Sequence, residues 1–322
     1  MAQRSGRSLL GWVNGADLKP LFLGASVEAP RDFDAFKEMW RRAQGRAGAL
    51  PPLLPVDPSV IDPLPQGLAK LSADLTRSEL YRQNYDHFQP PAQLASVPLD
   101  QLVAPQWWAD KAFVQEMASQ APRPEDENAL FRFCFPVGRL GRPAISGGFG
   151  NVVDFVGPRR DIGIPGPIVI ERHTGAKVYL GFDVMARPNF VFVAFVQDVN
   201  RLIVLNGVHH LAALRLAGHI RAFCILLVVA NLGEVGFDFG RPDIFKPNRI
   251  LAPRPPMIVD YFDSEIGGDV SIRAMDQRLR ITLNFELGTA PKVEEDIDTF
   301  TVRAAVSSAT PTSHSRNRGE KH

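Results

Sequence analysis

The stretch RLIVLNGVHHLAALRLAGHIRAFCILLVV, residues 201–229, constrains the fold more than any other part of the chain. An apolar run, Leu202–Leu205, enters Asn206-Gly207, an Ala/Leu-rich segment follows, and a second apolar run starts at Ala222. Short apolar runs bounded by turn residues read as strands, and the segment between them is long enough for a helix of roughly three turns. Asn206 or Gly207 caps the helix start, and Gly218 is placed to be the left-handed residue that ends it. Strand, glycine turn, helix and strand form a compact unit.

The remaining segments are read by the same rules. Phe33, Phe36 and Trp40 fall at helical spacing in DFDAFKEMWRRAQ and predict an amphipathic helix. ALPPLLPVDPSVIDPLPQG reads as an extended connector, because proline lacks a backbone donor and disfavours helix at the residue before it. A second helix is expected over Ser72–His87, where Leu75, Leu80 and Tyr81 share a face, and QPPAQ ends it. SVPLDQLVAPQWW predicts a short strand and turn before a helix near Asp110–Ala118, with Asp110 as N-cap. LFRFCFPV alternates and reads as a strand. Further strands are expected at Val152–Val156, Ile168–Glu171, Lys177–Phe182, Phe190–Gln197, Leu202–Leu205 and Ala222–Val229.

Beyond these, GFDFGRPDIFKPNRILAPRPPMIVDYFD reads as a Pro-rich wrapping segment with one apolar piece, Met257–Phe262. DVSIRAMDQRLRITLNFEL alternates on both sides of Asp276-Gln277 and predicts a hairpin. From Ser307 the chain has almost no apolar residues and is expected to be disordered. The expected class is α+β, with a mixed sheet around the strand–turn–helix–strand unit. Four segments are expected: N-terminal helices and connector over 1–94, a core over 95–230 carrying the Gly-rich insertion 138–151, a wrapping segment and hairpin over 231–300, and a tail over 301–322.

Composition narrows the function classes. Thirty-six Lys and Arg against 35 Asp and Glu leave a formal charge of +1, so no whole-protein field favours nucleic acid or anionic lipid. Cys134 and Cys224 lie in apolar segments, which reads as two buried thiols in a reducing compartment rather than a disulfide. MAQRSGRSLLGWVNG is basic, but its apolar run is too short for a signal-peptide core. The longest apolar run, Ala222–Ala230, is well below the roughly 20 residues that span a bilayer. A soluble, cytoplasmic protein with no membrane partner is expected.

The motif search is mostly negative. SGGFGN lacks the lysine and hydroxyl of a phosphate-binding P-loop, and the sequence has no H-E-x-x-H, C-x-x-C or G-x-S-x-G. His209 and His210 are adjacent, so on a helix they point about 100° apart and do not form a metal-binding pair. No metal site is expected, and no cofactor is indicated. A helix start does present unpaired N–H groups to an anion, with Gly207 allowing a phosphate close to the backbone. The candidate ligand-binding set is Asn206, Gly207, Val208, His209, His210 and Arg215, and His210 is the candidate catalytic residue. Arg201, His219 and Arg221 are nearby in sequence, and Arg139, Arg142, Arg159, Arg160 and Arg187 lie in loop-like stretches that would supply a pocket.

Three segments resemble the ParB/sulfiredoxin-like domain. VPLDQLVAP is similar to its opening strand and turn, GPIVIERHTGAKVYL to its "preferred value" strands, and RLIVLNGVHHLAALRLAG to its strand, Gly turn and helix box. The resemblance covers about Val97 to Ala230, with a long insertion before Pro167. It implies a ParB-like fold and a phosphate or nucleotide ligand at the glycine turn. Two departures bear on activity. The family's nucleotide-binding members carry an acidic residue and an arginine where this chain has Val208 and His210. Sulfiredoxin carries its catalytic cysteine where this chain has Val208, which has no nucleophilic sulfur. Imidazole at His210 retains general-base capacity but lacks the bidentate fork of arginine.

Partition proteins place a helix-turn-helix DNA reader after this domain; none is recognisable here, which argues against sequence-specific DNA binding. The expectations are therefore a phosphate- or nucleotide-binding protein, a non-enzymatic interaction or accessory protein with a protein partner, or a ParB-like nuclease using Asp154, Asp183 and Asp198.

Overall fold

The computed structural model describes residues 3–18, 33–137, 144–149, 152–158, 165–172, 178–184, 189–236, 239, 243–273, 276–282 and 305–306. The chain is an α+β protein that divides into two compact units. One comprises Met1–Arg139 and Pro188–Ala274, the other Leu140–Arg187 and Met275–His322.

The first unit is organised on a six-stranded mixed sheet. Its strands are β2 (Asp62–Pro63), β3 (Gln93–Pro98), β4 (Leu102–Val103), β10 (Phe192–Val196), β11 (Arg201–Asn206) and β12 (Arg221–Val229), in the order β2-β3-β12-β10-β11-β4. β10 pairs antiparallel with β11 and parallel with β12, so the glycine-turn unit straddles β10. Nearly every residue of β12 is buried, and so are four of the five in β10. That explains why these strands read as continuous apolar runs: both faces are covered, so no polar face alternates with an apolar one.

The helices that bear on the core and the glycine turn are α1 (Phe33–Ala49), α2 (Ala69–Arg77), α3 (Glu79–Tyr85), α4 (Lys111–Ser119), α5 (Glu127–Cys134) and α6 (Val208–Leu216). α5 packs on β12, and α4 packs on α6. The expected helix over Ser72–His87 is two helices, α2 and α3. Ser78 breaks them with φ −63° and ψ 143°, and its Oγ accepts from the Tyr81 amide to restart the second. The Pro-rich connector is extended as expected, apart from short 3-10 turns and β2.

Two expectations are corrected by the first unit. LFRFCFPV is not a strand: residues up to Cys134 belong to α5, whose start is capped by Asp126 accepting from the Ala129 amide at 2.9 Å. Leu130, Phe131 and Cys134 all face the core, which is helical spacing, and so short an alternating run fits either period. Among the described residues, no hairpin forms across Asp276-Gln277 either. β13 (Gly268–Arg273) pairs with β1 (Gln3–Ser8), which pairs in turn with β5 (Trp108–Asp110). β14 (Asp276–Thr282) instead pairs with β7 (Val152–Pro158) in the second unit. Alternation reports a half-buried strand but not its neighbour. β1, sequence QRSGRS, carries no apolar alternation and is a strand because β13 and β5 occupy its two edges.

One core cluster joins Leu9, Trp12, Leu68 and Tyr81 to Leu102, Phe190 and Ile225. Residues 1–94 therefore contribute to the same core as 95–230. A smaller cluster of Leu10, Leu18, Phe36, Ala43 and Val270 seats α1.

In the second unit, β14 lies between β7 and β15 (Ala305–Val306), and β7 also pairs with β6 (Ala144–Phe149), so part of the Gly-rich insertion is a strand. β8 (Pro165–Arg172) and β9 (Val178–Val184) form an antiparallel pair of their own. β8 and β9 carry the GPIVIERHTGAKVYL stretch, which thus lies in a different sheet from β11 and outside the core over 95–230 to which the resemblance assigns it. Residues 307–322 lie outside the described part of the chain.

Candidate functional site

The glycine turn sits where β11 ends and α6 begins. Gly207 is the N-cap, with φ 90° and ψ 18°, a left-handed conformation that costs an L side chain roughly 1–2 kcal/mol. A Cβ there would lie 3.0 Å from Val191 Cα and 3.2 Å from its Cγ2. The close approach that glycine permits is therefore to the chain's own backbone. Asn206 fixes the same corner, its Nδ2 donating to Phe190 O at 3.0 Å. The first intrahelical bond runs from Leu211 N–H to Gly207 O at 3.0 Å.

Val208, His209 and His210 follow, all buried. Their 100° separation sends the two imidazoles to different neighbours. His209, 6% exposed, accepts the Asp110 backbone N–H on Nε2 at 3.0 Å. Trp108 meets this ring edge-on at 6.2 Å, and Phe113 lies 5.6 Å away. His210, 4% exposed, packs edge-on against Phe133 of α5 at 5.5 Å.

Asp110 ties these groups together. While its amide engages His209, its carboxylate caps α4 by accepting from the Phe113 amide at 3.0 Å. One residue thus anchors the starts of two helices.

Among the described residues, the cations named from the sequence do not gather at this corner. Arg215 is exposed in the last turn of α6, about 12 Å along the axis from the glycine turn. Arg201 is buried at the far end of β11, donating to Ile250 O at 2.8 Å, and burial lowers its pKa. Arg221 donates to Ser96 O and Val60 O and pairs with Asp62 at 2.8 Å. His219 is buried, and its Nε2 donates to Pro122 O at 2.9 Å. Arg139, Arg142, Arg159, Arg160 and Arg187 lie outside the described residues. Asp198 is exposed in the β10–β11 turn, whereas Asp154 and Asp183 are on β7 and β9, in different sheets. Among the described residues, no three His, Cys, Asp or Glu side chains are grouped to hold a metal.

A concavity that no sequence motif marks lies beside the same helix. It encloses about 170 Å³ between Val114 of α4, Ala212 and Leu216 of α6, and Phe262, with Arg7 and Lys111 also lining it. Both cations pair with Asp269, at 3.5 and 2.7 Å, so the lining is largely apolar with its charge partly balanced. The signal in the sequence is Leu216, an apolar residue in the last turn that is left exposed.

No family model, curated protein or solved structure matches the chain.

Proposed function

We propose that the chain is a non-catalytic interaction protein, built on a ParB/sulfiredoxin-like core whose ligand corner is filled by its own side chains. One observation carries this reading: the imidazole of His209, one of the candidate ligand-binding residues, is buried and accepts the amide of Asp110. Phe133 covers His210 in the same manner, and Val191 occupies the approach that Gly207 leaves open. A phosphate entering here would have to displace packed aromatic rings and strip a buried amide of its acceptor, a loss of about 1–3 kcal/mol before any binding.

The ParB-like assignment is supported by the placement of VPLDQLVAP and RLIVLNGVHHLAALRLAG in one sheet, on β3–β4 and on β11–α6. Val208 and His210 stand where the reactive types of such domains would be. Among the described residues, no helix is long and apolar enough to cross a membrane. Two buried free thiols, Cys134 and Cys224, support a reducing, cytoplasmic setting.

Isothermal titration of the full chain with ATP, GTP and inorganic phosphate, each with and without magnesium, tests this directly. The expected result is no saturable heat. Saturable binding that is lost in Gly207→Ala, with folding retained, overturns the proposal in favour of a phosphate site.

A further inference from the structure

We propose that residues 51–57, PPLLPVD, form a preorganised docking strip for a partner protein whose binding face is an aromatic-lined groove of the kind that reads polyproline II helix. The proposal rests on the interaction-protein reading and gives that reading a surface.

The backbone of this strip is restricted residue by residue. Proline fixes φ near −65° at positions 51, 52 and 55. Each of Pro51, Leu54 and Asp57 precedes a proline and is driven to extended geometry; Asp57 has φ −71° and ψ 122°. Only Leu53 and Val56 are left unrestricted, and the fold anchors both. The Leu53 amide donates to Pro253 O and the Val56 amide to Asn200 O, each at 2.8 Å. Val56 is 3% exposed and Leu53 half-buried.

The anchors are three residues apart, which is one turn of polyproline II. Such a helix has a triangular cross-section, and here one edge, 53 and 56, is fastened to the protein. The other two edges, 51/54/57 and 52/55, are exposed along their whole length, with Leu54 79% exposed, and the strip ends at Asp57, which caps the 3-10 turn Pro58–Val60. Aromatic grooves grip two edges of a polyproline II ligand. A free peptide loses conformational entropy on being ordered, about 1–2 kcal/mol per residue, and this strip is already held.

The strip also specifies the partner's chemistry. It contains no Lys or Arg, so a groove flanked by an acidic specificity pocket has nothing to read. Its one charge is Asp57, whose carboxyl is held below the ordinary carboxylate range by hydrogen bonds from Ser59. The complementary groove is aromatic, with an apolar seat for Leu54 and a cation at the Asp57 end.

The test titrates the full chain with three purified modules, an SH3, a WW and an EVH1 domain. Saturable one-to-one binding to at least one is expected, weakened about tenfold or more by Leu54→Ala with Pro55→Ala. Both side chains are exposed, so an unchanged melting temperature serves as the folding control. Asp57→Asn is expected to weaken binding and flatten its salt dependence. Binding to none of the three, or binding indifferent to the 54/55 pair, overturns the strip. A silent strip together with silent nucleotide titrations removes only this inference; saturable nucleotide binding removes the reading beneath it.

Discussion

Gly207 and Gly218 bracket one helix, both with positive φ, yet only one is also sterically confined. At Gly218, φ 87°, an added Cβ meets nothing within 4 Å, so Gly218→Ala should cost about 1–2 kcal/mol, the left-handed penalty alone. Gly207→Ala carries the same penalty and also drives a methyl into Val191, adding about 1–3 kcal/mol of overpacking. Urea unfolding of the two variants measures the gap, and equal losses would show that the Val191 contact has no energetic weight. The cysteines make a pH-dependent case. Burial pushes the Cys134 thiol up to about 12 and the Cys224 thiol higher still, against an ordinary value of 9.0. Above pH 9 these thiols ionise in the unfolded chain but not in the folded one. Their contribution to stability is therefore whole below pH 9 and is lost as pH rises towards 12, by roughly 1.4 kcal/mol per pH unit for each thiol. Stability curves from about pH 8 to about pH 10.5 should be flatter in Cys134→Ala with Cys224→Ala than in the parent; parallel curves refute the assignment.

Helix caps explain both what the sequence discloses and what it conceals at the level of elements. The Asp110 cap of α4 and the glycine-bounded α6 are legible because their signals are local. α6 ends in a Schellman motif, with His219 N–H donating to Leu214 O at 3.0 Å and Gly218 N–H to Arg215 O at 3.1 Å. α5 passes for a strand when its apolar residues are weighed without the acidic cap ahead of them. Asp126 is exposed and its carboxylate holds the Ala129 amide, so Asp126→Ala should cost about 1 kcal/mol and Asp126→Ser much less, by thermal unfolding. A cost shared equally by Ala and Ser would mean that the side-chain oxygen does not hold this end. The candidate site is half legible for a related reason. Adjacent histidines must diverge on a helix, and they do. Their burial depends on Trp108, Phe113 and Phe133, which come from elements about 75–100 residues earlier in the chain, and no local pattern announces such contacts.

At the scale of the molecule, the partition into two units crosses the sequence three times. The interruption at Leu140–Arg187 leaves and re-enters the first unit at one place: the Val191 amide donates to Cys134 O at 3.1 Å, and the Phe135 and Phe190 rings meet edge-on at 6.0 Å. Chain ends held this close are the condition under which an inserted segment can be removed with little loss of loop-closure entropy. The second unit's other part begins at Met275, immediately after β13 completes its pairing with β1. The strands on either side of this last boundary share no ladder, since β14 pairs only with β7 and β15 among the described residues. A chain ending at Ala274, with Leu140–Arg187 replaced by a short Gly/Ser linker, should therefore fold with a cooperative thermal transition and keep His209 and His210 buried. Histidine accessibility to diethyl pyrocarbonate, compared with the full chain, reads the second property. A broad, non-cooperative melt, or modification of both histidines at the rate of free imidazole, would show that the first unit depends on the second for its core.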